Sequence, residues 1–70
     1  MSDRDQPPLP SDLLPRYSER EVAAMLFVSV RRLQNWRFYG RGGPAYVKIG
    51  GSVRYCERDI VEFLERHTVR

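Results

Sequence analysis

Six basic residues and no acidic residue occupy the stretch from residue 31 to residue 55. They are Arg31, Arg32, Arg37, Arg41, Lys48 and Arg54. The nearest acids are Glu21 and Glu57. Since the stretch carries +6 and the whole chain has a net charge of +3, the rest of the chain carries −3. Clustered arginine and lysine neutralise phosphates, and a charge divided in this way indicates a polyanionic partner, of which nucleic acid is the simplest.

The first part of this stretch carries side chains that suit the reading of base edges. Arginine pairs with O6 and N7 of guanine, and asparagine or glutamine pairs with N6 and N7 of adenine. We interpret Arg31, Arg32 and Asn35 as base contacts, and Gln34 as a weaker candidate for base or backbone. The alternative is an ordinary solvated helix face, which is less favoured because the stretch contains no acid to pair with its cations.

A helix over residues 30 to 39 would present these side chains together. Ser29 is a good N-cap, and the glycines at 40, 42 and 43 with Pro44 end the helix. If Val30 and Leu33 face the core, Arg31 and Asn35 lie on the opposite side and Arg32 and Gln34 flank them.

A β-hairpin is predicted next, because residues 45–49 and 52–55 alternate in polarity around Gly50-Gly51. Lys48 and Arg54 flank its tip and suit contact with phosphates or a narrow minor groove, although lysine also protects sheet edges. Arg37 and Arg41, near the preceding helix end, suit phosphate contacts, and Ser29 does so at the start of that helix. Arg37 has an alternative role, in which its stem covers the core.

Two further helices are needed to position these elements. Ser18 and Glu21 form the pattern of a capping box, with Tyr17 and Val22 at the staple positions, which predicts a helix over residues 19 to 26. A three-residue turn, 27–29, separates it from the second helix. The last predicted helix, 57–67, places its apolar face at Ile60, Phe63, Leu64 and His67, and pairs Glu62 with Arg66 on its solvent face.

The order helix, turn, helix, hairpin, helix is that of a winged helix-turn-helix, a mainly α fold with a small β-hairpin. Residues 17 to 65 resemble the small excisionase and AlpA-like branch of the MerR-type winged helix-turn-helix proteins. The resemblance rests on Ser18-x-x-Glu21 with Ala23 and Leu26, Val28-Ser29, Leu33, Trp36, Pro44 to Ile49, Gly50-Gly51, Val53-Arg54-Tyr55 and Asp59-Ile60. It implies that the hairpin, the wing, contacts DNA.

Two features depart from that family pattern. Phe27 stands where the turn usually has glycine, so we expect either a reshaped turn or a buried ring that offsets a left-handed backbone. The second helix ends in the aromatic run Trp36-Arg37-Phe38-Tyr39. Part of this surface is a candidate for contact with another protein.

Length and composition limit the remaining possibilities. Residues 1–16 hold four of the five prolines and predict a disordered arm before a single domain at 17–70. The single cysteine, Cys56, excludes an internal disulfide and is expected to be an inert buried thiol. No apolar run approaches about 18 residues, which favours a cytoplasmic protein, nucleoid-associated when bound to DNA. No catalytic constellation occurs, so we expect no enzyme activity, no cofactor and no metal.

The resemblance implies an excisionase, or recombination directionality factor, which binds neighbouring duplex sites, bends DNA and biases an integrase toward excision. The same surface would serve a small transcriptional regulator of a mobile element. A rival interpretation is a protein-interaction module with an acidic partner. Because one helix and one wing neutralise only about four to six phosphates, we expect copies to assemble head to tail on DNA.

Overall fold

A computed structural model describes residues 9–69. Their elements are β1 (Tyr17–Ser18), α1 (Glu19–Leu26), α2 (Val30–Tyr39), β2 (Val47–Ile49), β3 (Ser52–Tyr55) and α3 (Glu57–Arg66). The three strands form one antiparallel sheet in the order β1-β3-β2. The predicted winged helix-turn-helix is therefore confirmed, with one strand more than the hairpin provides. None of the helices formed by these residues is long and apolar enough to span a membrane.

The capping box predicted at the start of α1 is present. The Glu21 amide donates to Ser18 Oγ over 3.2 Å, and the Ser18 amide donates to Glu21 Oε1 over 2.8 Å. The hydrogen bond from the Ser18 amide to the carboxylate favours its charged form and holds the pKa of Glu21 below its usual value. Ser18 also pairs with Arg54 in the sheet. One residue thus ends a strand and begins a helix, which fixes α1 beside the wing.

Both helices of the helix-turn-helix end with the same backbone motif. After α1, the amide of Phe27 donates to Ala24 O and the amide of Val28 donates to Ala23 O. After α2, Gly40 and Arg41 make the equivalent bonds to Arg37 O and Trp36 O. This motif requires a left-handed residue, and Phe27 has φ 58° and ψ 37° while Gly40 has φ 75°.

The structure contradicts both expectations for Phe27. The turn is not reshaped, since its backbone follows the left-handed path that glycine usually adopts. The ring is not buried, since Phe27 is 94% exposed. The apolar residue that does secure this turn is Val28, which packs against the core.

The core lies where the three helices meet β3. It consists of Val22, Ala23, Leu33, Tyr55 and Ile60, with partly buried apolar residues from every helix-turn-helix element around it. Burial of the Tyr55 phenol raises its pKa to about 12, since a charged phenolate is poorly solvated there.

The apolar face of α3 is narrower than its spacing predicts. Ile60 and Phe63 are buried, but Leu64 is 49% exposed and His67 is exposed. Arg66, rather than His67, is the last residue of α3. The imidazole of His67 packs on the Phe63 ring at 4.3 Å, outside the core. The expected pair of Glu62 and Arg66 is present on the solvent side at 3.9 Å.

Residues 9 to 16, which belong to the predicted disordered arm, have a defined path in the structure. Ser11–Leu13 form a single 3-10 turn, and the carbonyl of Leu13 accepts a hydrogen bond from Cys56 Sγ at 3.4 Å. Arg16 pairs with Glu57 at 3.4 Å. Both contacts hold this segment against the start of α3. The first eight residues of the arm lie outside the described residues.

Candidate nucleic-acid interface

The outer face of α2 presents the residues predicted to contact bases. Arg31, Arg32, Gln34 and Asn35 are all exposed, while Leu33 is completely buried on the opposite side. Ser29 Oγ accepts a hydrogen bond from the Arg32 amide at 3.0 Å, which starts the helix at Val30. Because this bond uses the oxygen as an acceptor, the hydroxyl hydrogen of Ser29 stays available for a phosphate.

The loop after α2 determines where the wing begins. Gly42 and Gly43 pass closely over Trp36. A Cβ atom on Gly42 would lie 2.8 Å from Cδ1 of that ring, and one on Gly43 would lie 2.8 Å from the Trp36 Cβ. Gly42 also has φ 99°, so a larger residue there would be strained as well as crowded. Trp36 itself packs on Phe63 of α3 at 5.5 Å. The glycines therefore let the chain turn directly from α2 into the wing.

The register of the wing places its two cations on opposite faces. Lys48 lies opposite Val53, and Arg54 lies opposite Val47. Directly opposite residues share a face and successive residues alternate, so the side chains of Lys48 and Arg54 leave the hairpin in opposite directions. Lys48 is exposed, whereas Arg54 is half-buried and donates to Val53 O at 3.1 Å. Lys48 is thus the freer of the two.

A surface groove of about 420 Å³ separates α2 from the wing. Four cations and one carboxylate contribute to its lining: Arg20, Arg37, Lys48, Arg54 and Glu19. Val30 and Gln34 form its wall on α2. Because Arg37 pairs with Glu19 and the Arg54 side chain leaves the other face of the hairpin, Arg20 and Lys48 give this groove its positive charge. That charge suits the path of a phosphate backbone between a helix and a wing.

Arg37 is engaged within the protein. Its Nε donates to Glu19 Oε2 at 2.6 Å, and its guanidinium lies 5.8 Å from the centre of the Tyr46 ring. The hydrogen bond to Glu19 raises the pKa of Arg37. The stretch from 31 to 55 contains no acid, but Glu19 of α1 pairs with Arg37. One of the six cations is therefore neutralised within the protein. Arg37 links α2 to Glu19 of α1 and to Tyr46 before the wing. Its contact with phosphate stays a prediction.

Gln34 shares the same partner. Its Nε2 donates to Glu19 Oε1 at 3.4 Å, which turns this side chain toward the groove. Arg41 is exposed directly after the end of α2, as a phosphate contact requires. Four predicted contact residues are therefore exposed on α2, at its end and on the wing: Arg31, Asn35, Arg41 and Lys48. Three others are held partly by contacts within the protein: Gln34, Arg37 and Arg54.

Sequence reasoning missed Arg20. This exposed residue lies on α1, outside the basic stretch, yet it lines the groove with Lys48. The signal that would have identified it is the pairing of Ser18 with Arg54, which brings the start of α1 to the wing. No periodicity in a two-residue strand reveals that pairing.

Cys56 is the N-cap residue of α3, and its thiol faces the carbonyl of Leu13. It is buried, and this burial raises the pKa of its thiol, as expected of an inert cysteine.

A comparison with family models identifies the kind of domain that carries this surface. A model described as "Helix-turn-helix domain" matches residues 16–68. The match spans α1, the turn, α2, the wing and α3. A search of curated proteins found no significant match to this chain.

Proposed function

Because the chain belongs to a family of helix-turn-helix domains, we propose that it is a sequence-specific, duplex-DNA-binding architectural protein that acts as an excisionase. DNA binding follows from the domain, and the family includes excisionase-like proteins. In the proposed role the protein binds neighbouring sites, bends the duplex and biases an integrase toward excision. The integrase alone breaks and joins the strands.

The observation that carries this proposal is the arrangement of α2 beside the wing. Exposed Arg31 and Asn35 enter the major groove and read bases, while Lys48 and Arg54 approach phosphates from the hairpin. Their opposite directions favour a wing inserted edge-on into the adjacent minor groove, where one cation meets each strand. A hairpin lying flat along one strand would use only one of them.

The alternative role is a small transcriptional regulator of a mobile element that uses the same surface at a promoter. Both roles require the same contacts with DNA, so the genes beside this one separate them best. A neighbouring integrase gene favours control of excision.

We expect base readout by α2 to depend on Arg31 and Asn35. Arg31→Ala or Asn35→Ala should reduce the discrimination between a selected site and random duplex by about 1–3 kcal/mol, because each removes one base-edge partner. Both residues are exposed, so circular dichroism should show an unchanged fold. The measurement is fluorescence anisotropy with both duplexes at one salt concentration.

Arg58→Ala is the matched control, because it removes an exposed arginine from α3. It should leave the discrimination unchanged. Equal losses on both duplexes for Arg31→Ala and Asn35→Ala would mean that these residues contact phosphates, not bases.

We further propose that copies assemble head to tail along DNA. The basic surface of one copy would lie near the acids of the next, in α1, in α3 and at Asp12; Asp3 and Asp5, also proposed for this contact, lie outside the described residues. Phe38 and Tyr39 stand beside that surface, 80% and 72% exposed, with their rings 5.2 Å apart. The wing and this aromatic pair are the proposed contacts. Such a contact joins different surfaces, so it extends along the duplex and does not close a dimer.

The free protein should therefore sediment as a monomer at micromolar concentration and bind adjacent sites cooperatively, since shared DNA raises its effective concentration toward the millimolar range. Phe38→Ala should lower cooperativity on a duplex with three sites and leave binding to one site unchanged. A stable two-fold dimer without DNA, or independent filling of adjacent sites by the wild type, would disprove this assembly.

A further inference from the structure

Phe27 has a backbone conformation that is unfavourable for phenylalanine, and its side chain does not pack against the rest of the protein. Its φ of 58° lies in the left-handed region, where an L-residue with a Cβ atom is strained and glycine is not. Its ring is 94% exposed. Neither core packing nor an internal contact of the ring therefore compensates for the strain, and glycine would form the same turn more easily.

The turn holds this ring in a defined place. The amides of Phe27 and Val28 donate to the carbonyls of Ala24 and Ala23 at 3.2 and 3.0 Å. Val28 packs against the core, and Ser29 caps α2. The backbone on both sides of Phe27 is thus fixed, and a phenylalanine side chain has only two torsions to order on binding.

The position of the turn indicates what the ring meets. A single residue separates Phe27 from Ser29, and Arg31 follows in the first turn of α2, at the end of the helix nearest this turn. No acid occurs in the sequence between Glu21 and Glu57, and Arg31 and Arg32 follow Phe27 closely, so the charge of the adjoining chain is positive. Where the start of a recognition helix enters the major groove, the apolar group that an aromatic ring can contact is the C5-methyl of thymine.

We propose that Phe27 contacts the C5-methyl group of a thymine at the edge of the site, and so adds a preference for thymine to the readout by α2. This inference rests on the proposed DNA-binding function and names a specificity residue for it. The side chain carried by this strained backbone then has its use in the complex, not in the free protein.

The test compares thymine with deoxyuridine, which lacks only that methyl group. A site is first selected with wild-type protein from random duplex, and each thymine of a single-site duplex is then replaced in turn by deoxyuridine. Binding is measured for the wild type, Phe27→Gly and Phe27→Asn. Asparagine tolerates the left-handed region without the flexibility of glycine. Phe38→Ala serves as control, since it removes a similarly exposed ring from the other end of α2.

One deoxyuridine should weaken wild-type binding about threefold to fivefold, the effect of burying one methyl group. The same replacement should barely affect Phe27→Gly and Phe27→Asn, which should bind the thymine site about fivefold to twentyfold more weakly than the wild type. Phe38→Ala should keep both the affinity and the deoxyuridine effect. Phe27→Gly should also raise the thermal midpoint by roughly 2–5 °C, because it relieves the turn. Stability and affinity then change in opposite directions, which a misfolded variant cannot produce.

The inference is overturned if no deoxyuridine affects the wild type, or if Phe27→Gly binds the single site as tightly as the wild type. A loss confined to cooperative binding at adjacent sites would also overturn it, and would assign Phe27 to a contact between copies. These results leave the proposed function intact. If the wild type selects no site at all, the proposed function fails first, and the inference fails with it.

Discussion

Replacement of Leu33 by alanine is expected to unfold the domain at 37 °C. Leu33 is completely buried at the centre of the core, on the helix that carries the predicted base contacts. Its truncation should cost about 2–5 kcal/mol, which is comparable with the whole free energy of unfolding of a domain this small. Thermal and urea denaturation followed by circular dichroism measure the loss.

Leu64→Ala is the matched control, since it makes the same substitution on α3 at a residue that is 49% exposed. It should cost less than about 1 kcal/mol. A similar loss for the two variants would mean that Leu64 contributes to the core, as the helical spacing alone suggested.

The largest effect on DNA affinity is expected for the wing. Wild-type binding should weaken with salt with a log–log slope near −4 to −5, at about −0.9 for each phosphate contact. Replacing Lys48 and Arg54 together by alanine should reduce the magnitude of that slope by up to about two units, and at physiological salt should weaken binding to every duplex roughly tenfold to fiftyfold. Titration at several salt concentrations measures both quantities.

Arg58→Ala combined with Arg66→Ala removes the same charge from α3 and should change the slope little. Because Lys48 is exposed and Arg54 is half-buried and bonded to Val53 O, Lys48→Ala alone should produce the larger share of the effect. Unchanged affinity and slope in the double wing variant would show that the wing does not touch DNA.

Local signals made most of the fold predictable. The capping box at Ser18 and Glu21, the cap at Ser29 and the glycine pair of the wing each involve residues within a few positions of one another, and all three predictions are confirmed. Each signal works because a backbone group left unpaired at an element's end must find a nearby partner or a left-handed residue.

Contacts between distant residues were not predictable in this way. β1 has two residues and therefore no periodicity, and it forms only because Tyr17 and Tyr55 pair across most of the chain. Its formation explains why Arg20 reaches the groove. The composition of the arm suggested disorder, yet Leu13 and Arg16 have partners at the start of α3, Cys56 and Glu57, that no local pattern reveals.

The sequence predicted which residue types form the candidate surface, but not all of the charges that surround it. Helical geometry correctly placed Arg31 and Asn35 on the exposed side of α2, because Leu33 determines which side is buried. It gave no means of finding that Glu19, from another helix, pairs with Arg37. The role of each residue on DNA stays a prediction until the variants above are measured.

The carboxylate of Glu19 has a consequence for the entropy of binding. It holds Arg37 and Gln34 of α2 at once, and Arg37 in turn lies over Tyr46 at the base of the wing. Long side chains that are free in solution each lose about 0.5–1.5 kcal/mol when a partner immobilises them. Here these side chains are ordered during folding. The entropic cost of ordering them is therefore not added when α2 and the wing bind a duplex.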